Sequence, residues 1–468
     1  MSKAKQNKKS KIRSKLYNTP VLGFRDNIVF TTQSVWAYYV LAERPYDFLS
    51  YDTKVALANS TIQGLGSLAL KATEPVDCHL LTNTTPFDPI DWETQMYRVY
   101  SRWNLNEEIL EEEGGYIDTG NTRLFKKFIE KTSDDMLDEE YQKRSTYLGI
   151  KLYDRRKIDF SFTSLIGDGV DSVFDSLKTQ FSRIIDAPGE KVTKKEELRA
   201  VEAENALYQI ISTGGLRARR PTAETLLLAM KSRYYPFMPT PRLMVDKKNR
   251  MNFSDIVYEF GGEIHVKQRY LHFKQVIGGE SWDGFRSTLT FYKFPKDLSA
   301  PTYLPFFSNA LTLPYNCFSR FTLLPTLEMK ARYERKKDET EDEIKNLAES
   351  GQRMGAALAD KLSDLDSLEE SLEDDRLPWI QGTYRVTITA SSPEKLQEQI
   401  AAIIQEFAHS ETVLIQSVGD QLDCFREEQI GGETILKDFR HTTNLALLAT
   451  MGINHGSDLG DPITGYRL

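Results

Sequence analysis

Between residues 20 and 45 the chain packs aromatic and β-branched residues into successive short runs. They are Val21-Leu22-Gly23-Phe24, then Asn27-Ile28-Val29-Phe30, then Val35-Trp36-Ala37-Tyr38-Tyr39-Val40-Leu41. Such residues fit a pleated, half-buried surface, and Asp26-Asn27 supplies a turn between the first two runs. A chain that opens this way commits to a sheet whose apolar face later elements have to cover. The period-two signal returns in EIHVKQRYLHFKQV over 263–276, within an aromatic- and proline-rich stretch, 240–325, that reads as β-rich. Shorter strands are expected at 76–82 (VDCHLLT), 145–154 (RSTYLGIKLY), 384–389 (YRVTIT) and 411–418 (ETVLIQSV).

Helical segments alternate with these strands. They are expected at 51–70, at 90–112 and 122–142 with Gly114-Gly115 between them, and at 192–212, 393–407 and 419–428. Val170, Val173, Phe174, Leu177, Phe181, Ile184 and Ile185 fall on one helical face, ended by Pro188-Gly189. A further helix runs from Thr222 to Arg233, with Thr222 as N-cap and Glu224 in the first turn. From 326 to 375 the chain is highly charged. There Leu358, Leu362, Leu365, Leu368 and Leu372 step by threes and fours, as in a helical hairpin or short coiled coil, with Gly351 and Gly355 at the bend.

The fold class read from this pattern is α+β: mixed α/β lobes, a β-rich middle section, a charged helical hairpin, and no P-loop motor domain. The expected organisation is a disordered basic tail (1–16), a first α/β lobe (17–240), the β-rich section (241–325) and the hairpin (326–376). A small α/β unit (377–430) and a Gly-rich, loop-like linker (431–468) complete it. A length of 468 residues suits two or three units. The net charge of -8 argues against a surface that is mainly a nucleic-acid footprint. Cys78, Cys317 and Cys424 lie far apart and form no C-x-x-C pair, which argues against a disulfide framework or a thiolate zinc site and fits a reducing cytoplasm. No apolar run reaches about 18 residues, and no apolar segment follows the basic N-terminus as in a signal peptide.

Lys3, Lys5, Lys8, Lys9, Lys11, Arg13 and Lys15 crowd that N-terminus without an acidic residue among them. The run suits anionic lipid head groups or another polyanion, or serves only as a solvated tail. Gly64-Leu65-Gly66-Ser67-Leu68-Ala69 matches G-x-G-x-x-A, but a helix precedes it where a dinucleotide site needs a strand, so close helix packing is the expected role. No G-x-x-x-x-G-K-[ST] occurs, and Gly431-Gly432-Glu433-Thr434 does not replace it. None of the six histidines has a ligand spacing, and His79 beside Cys78 reads as a core residue. No catalytic, cofactor or metal residues are expected in this chain. Arg217, Arg219 and Arg220, just ahead of a helix, suit a phosphate or acidic partner, or an ordinary solvated or internally paired loop.

Three stretches together resemble the VirB/TrbE/CagE family of type IV secretion ATPases of conjugative elements. TTQSVWAYYVLAERPYDFLSYDTK (31–54) is similar to the family's opening hairpin and helix. LRARRPTAETLLLAMKSRYYPFMP (216–239) is similar to its mid-domain basic turn and helix. HTTNLALLATMGINHGSDLGDPITGYRL (441–468) looks like the segment leading into the ATPase domain. The resemblance implies a non-catalytic N-terminal docking domain, with ATP and Mg belonging to a motor domain further on. It also implies a cytoplasmic, peripheral position on the inner face of the membrane. The implied partners are inner-membrane secretion subunits and the coupling protein, with hexamers when full length and no direct nucleic-acid binding. The competing expectation is a self-contained scaffold acting through the leucine-stepped helices.

Overall fold

The computed structural model describes residues 21–42, 44–45, 49–71, 75–86, 124–132, 142–155, 192–213, 215–234, 263–277, 280–295, 315–350, 378–453 and 455–456, with isolated positions 96, 355 and 358. The basic tail, the 170–185 helix, nearly all of 90–112, the leucines after Leu358 and residues 457–468 lie outside them. Residues 84–145 form a compact unit of their own, which includes a helical run over 124–132. The remainder of the chain, 1–83 with 146–468, is the other unit.

The second of these is built on a 13-stranded sheet. Its strands are β1 (Val21–Arg25), β2 (Ile28–Thr31), β3 (Ser34–Leu41), β5 (Val76–Pro86), β6 (Gln142–Asp154), β8 (Glu263–Val266), β9 (Leu271–Ile277), β10 (Glu280–Lys293), β11 (Tyr315–Leu324) and β12 (Trp379–Ala390). They lie in the order β1-β2-β3-β6-β5-β11-β12-β10-β9-β8. Short strands extend the rows: β7 (Ala218–Arg219) beside β3, β13 (Val413–Gln416) beside β10 and β14 (His441–Asn444) beside β12. A separate parallel pair joins β4 (Arg44–Pro45) to β15 (His455–Gly456).

Side chains alternate across a strand, so the two faces of the sheet carry different chemistry. One face presents Ala37, Tyr39, Leu80, Ile150, Phe291, Cys317, Phe321, Val386 and Ile388. It is covered by α1 (Tyr51–Lys71), α2 (Lys194–Thr213), α5 (Pro393–Ala408) and α7 (Leu445–Ala449), which add Leu65, Leu207, Ile403 and Leu448 to the same core. The opposite face carries a smaller apolar cluster of Val29, Trp36, Tyr38, Leu81, Tyr147 and Phe318, covered by Leu226, Leu227 and Met230 of α3 (Ala223–Tyr234). Beside that cluster lie buried arginines, beneath α6 (Gln421–Glu428).

Local signals start several of the helices. The Thr225 N–H donates to Thr222 Oγ1 at 3.2 Å, so Thr222 caps α3 as expected. Ser392 accepts from the Lys395 N–H with Pro393 at the first helical position of α5. Asn444 caps α7 by accepting from the Leu447 N–H. The charged helix α4 (Thr326–Glu349) begins where the hairpin is expected.

Two features differ from the sequence reading. The segment 377–430 does not stand apart: β12 pairs along its length with β11 and β10, and β11 pairs with β5. The expected boundaries at 240 and 376 therefore cut through one sheet. Pairing partners far apart in sequence decide this, and local periodicity carries no record of them. The stretch after 430, expected as loop, contains β14, α7 and β15. These are too short to show a period.

Candidate functional site

The most elaborate polar arrangement among the described residues lies between the sheet and α6. Glu427 and Glu428, at the end of α6, are fully buried, as are Gln421 and Cys424 on the same helix. Facing them are Arg286 of β10, Arg320 of β11, Arg385 of β12 and Arg233 from the last turn of α3, each no more than 3% exposed. Each strand arginine occupies the parity that points away from the main core.

Glu428 joins two of these arginines. Its Oε1 accepts from Arg233 Nη1 at 2.7 Å, and its Oε2 pairs with Arg286 and accepts from Thr387 Oγ1 at 3.1 Å. Arg233 also donates to the Thr82 carbonyl at 2.6 Å, tying α3 to β5. Glu427 pairs with Arg385 and accepts from the backbone N–H groups of Ile435 and Leu436. Arg320 donates from Nε and Nη2 to the Glu427 carbonyl and from Nη2 to the Gln429 carbonyl at 3.0 Å, with its guanidinium 5.3 Å from the Trp36 ring. Gln421 completes the seal: its Oε1 accepts from Thr288 N–H, and its Nε2 donates to the Thr288 and Ser417 carbonyls.

Burial is the first cause lowering the pKa of all four arginines, of Arg233 to about 10. For Arg286 the neighbouring Arg233 charge lowers it further. Four guanidinium groups meet two fully buried carboxylates; Glu433 and Asp77 act on Arg320 from the adjoining cleft, and main-chain carbonyls make up part of the difference. Removing one partner from such a layer leaves a desolvated charge, which is far costlier than never having built the pair.

A hydrogen-bonded line runs into the same layer from β3. Tyr38 Oη accepts from the Gly431 N–H at 2.8 Å and shares a hydrogen bond with His79 Nδ1 at 3.1 Å. His79 is wholly buried, and burial, then Arg320 and Arg233, hold its pKa well below the usual imidazole range. It is the core histidine expected from the sequence. Next to it, Trp36, Asp77, Arg320, Thr322, Gln381, Glu433, Thr434 and Arg440 border a cleft of about 20 Å³. That is the space of about one water molecule.

The residues singled out from sequence are placed as follows. Arg220 is engaged within the chain: Nε and Nη2 donate to Glu204 at 2.8 and 2.6 Å, Nη2 reaches Asn205 Oδ1, and the guanidinium stacks 4.1 Å from the Tyr208 ring. Glu204 also accepts from Asn27 and Tyr39, so this basic turn is stitched to the first hairpin. Arg217 and Arg219 are exposed and form no ion pair among the described residues; Arg217 has a φ of 50°. Lys8, Lys9, Lys11, Arg13 and Lys15 lie outside the described residues. Gly66 sits within α1 against Pro378 and Leu445, the packing role expected for the G-x-G-x-x-A match. The three cysteines are free and buried.

Sequence reasoning passed over Arg286, Arg320, Arg385, Glu427 and Glu428. An arginine at the polar parity of a strand reads as solvent-facing, and only the pairing of β10, β11 and β12 brings the three into one row. Among the described residues no group of three or more His, Cys, Asp or Glu is placed to hold a metal ion. None of the helices searched there is long and apolar enough to cross a membrane. No protein-family model matches the chain, and no curated protein matches it.

Proposed function

We propose that this chain is the non-catalytic N-terminal docking and assembly portion of a type IV secretion conjugation ATPase. One observation carries the reading: the three stretches that resemble the family, far apart in sequence, meet in space. β3 of the first stretch pairs with β7 of the second through Val40↔Arg219 and Leu41↔Ala218. β4 of the first pairs with β15 of the third through His455↔Arg44 and Gly456↔Pro45. Each of the two later stretches thus pairs with the first, one in the main sheet and one in the separate parallel pair, which supports reading the three resemblances together. The arginine layer suits a rigid platform, because its charged groups are turned inward on one another.

In this reading the basic tail attracts anionic lipid at about 1 kcal/mol per basic residue near the surface. It holds the molecule on the cytoplasmic face beside inner-membrane subunits and the coupling protein. ATP and Mg act at a motor domain further along the protein, whose hexamer this portion positions. Reading the native gene past codon 468 tests the proposal: an in-frame G-x-x-x-x-G-K-[ST] is expected, and a stop codon there would overturn it. Deleting residues 1–16 is expected to reduce flotation with anionic liposomes, and unchanged flotation removes the tail from the account.

A second reading, a scaffold acting through its charged helices, draws on α4. Its less exposed positions Tyr333, Lys337, Thr340, Ile344 and Leu347 step by fours and threes, the spacing of a helix–helix seam. A stop codon after Leu468 would bring this reading forward.

A further inference from the structure

Tyr292, at the end of β10, is 56% exposed and Phe439 is 41% exposed. Their rings meet edge to face with centroids 6.0 Å apart. Phe439 has a φ of 60°, in the left-handed region that a bulky side chain enters only at a cost. The backbone on both sides is fixed. Upstream, the N–H groups of Ile435 and Leu436 donate to buried Glu427. Downstream, His441–Asn444 pair with β12, and His441 Nε2 lies 2.9 Å from the Phe291 carbonyl oxygen. An aromatic pair is thus presented to solvent in a set geometry, at the expense of backbone strain, with its supports running back into the arginine layer.

The pair's exposed chain neighbours carry three basic residues and one acidic one on a chain whose net charge is -8, and Arg440 also borders the cleft that Asp77 and Glu433 line. Lys293, Lys437 and Arg440 are all exposed, with Asp438 among them, and exposed Val413 lies opposite Lys293 in the β10–β13 register. We propose that this surface docks an acidic peptide segment of a partner protein, anchored by apolar side chains on Tyr292 and Phe439. Aromatic anchors contribute contact area at little rotamer cost. A loop already fixed in position loses little entropy on binding. The basic rim is complementary to carboxylates and speeds encounter. Single-stranded nucleic acid also stacks on aromatic rings. Here Asp438 interrupts the basic residues and the chain as a whole repels a long polyanion, which favours the peptide. The proposal rests on the docking reading for the existence of a partner.

The test is selection of dodecamer peptides from a random phage-displayed library on the full chain, then anisotropy titration of the enriched peptides. The expected sequences combine several Asp or Glu with Leu, Phe or Trp. Their affinity should fall about tenfold or more in Tyr292→Ser and in Phe439→Gly. The doubly reversed Lys437→Glu/Arg440→Glu should lose them as well. Phe439→Gly relieves the left-handed strain, so its Tm should equal or exceed that of the wild type, which separates lost binding from lost folding. No enrichment, enrichment without acidic bias, affinity unmoved by both aromatic variants, or tighter binding of labelled oligo-dT would each overturn the proposal. A downstream motor sequence could still be present in any of these cases, so the two readings fail separately.

Discussion

Glu428→Met removes the one carboxylate shared by Arg233 and Arg286 while keeping a side chain of similar length. Both guanidiniums are held at 2–4% side-chain exposure, and neither has water to turn to. Breaking a buried pair from one side costs about 3–5 kcal/mol. Here two cations lose their counter-ion at once, so the upper part of that range is expected. A domain's total stability is about 5–15 kcal/mol, so a large fraction of it is removed. The companion Arg286→Met leaves Glu428 paired with Arg233 and relieves one like-charge contact, so it should cost at most about half as much. Urea unfolding followed by fluorescence reads both, because Trp36 and Trp379 are buried in this unit at 2% and 7% exposure. The midpoint should move with the slope unchanged. A Glu428→Met loss below about 1 kcal/mol, or one smaller than that of Arg286→Met, would refute the assignment of Glu428 as the anion that holds this layer.

Two further predictions concern the same unit. Burial pushes the Tyr147 hydroxyl up to about 12 from 10.0. The folded state therefore keeps this proton where an unfolded chain releases it, so stability is fully present below pH 10 and falls by about 1.4 kcal/mol per pH unit above it. Tyr147→Phe should flatten the alkaline limb of stability measured between pH 10 and 12 by up to about that slope, and an unchanged limb would show that the hydroxyl is not held protonated. Gly149 faces the ring of Tyr38, where an added Cβ would lie 2.4 Å from Cε1. Tyr38 is fixed by Gly431 and His79 and cannot step aside, so Gly149→Ala should cost about 1–3 kcal/mol. A wild-type Tm in that variant would mean the strand shifts to make room.

The strands and helices were largely legible because each carries its own period. Val35 to Leu41 alternates aromatic and aliphatic residues on both faces, and the strand is buried almost throughout. Thr222 announces α3 because a cap is a local hydrogen bond. What could not be read was which strands are neighbours. β5 and β11 are separated by more than two hundred residues, yet Arg320 lies opposite His79. Nothing within either segment records that meeting. For the same reason the sequence singled out Arg217, Arg219 and Arg220, which cluster along the chain, and passed over Arg286, Arg320 and Arg385, which cluster only in space. Of the first group, an internally paired loop was one of the readings open, and Arg220 realises it with Glu204, a residue of the preceding helix that nothing in the cluster itself points to.

The arginine row also bears on why this sheet has one register. Moving a strand by one residue exchanges its two faces. For a strand that is apolar on both sides, the exchange costs only packing. In β12 it would bring Arg385 into the layer of Val386 and Ile388, and carry one of those side chains to where Glu427 waits for a cation. The same holds for Arg286 beside Leu289 in β10 and for Arg320 beside Phe321 in β11. Each slip would leave a guanidinium desolvated without its native partner, a carboxylate for Arg286 and Arg385 and main-chain carbonyls for Arg320, at several kcal/mol apiece. The polar layer thus selects one alignment among several that hydrophobic packing alone would tolerate. It also sets the position of α6 and of the 433–439 segment that ends in Phe439. Replacing Arg385 and Glu427 together by Met and Leu should then leave stability within about 2 kcal/mol of wild type, since a buried pair contributes little net energy. The same variant should lose protection in amide exchange at Ile435 and Leu436, whose N–H groups Glu427 accepts. Unaltered protection at those two amides would show that packing alone places the segment.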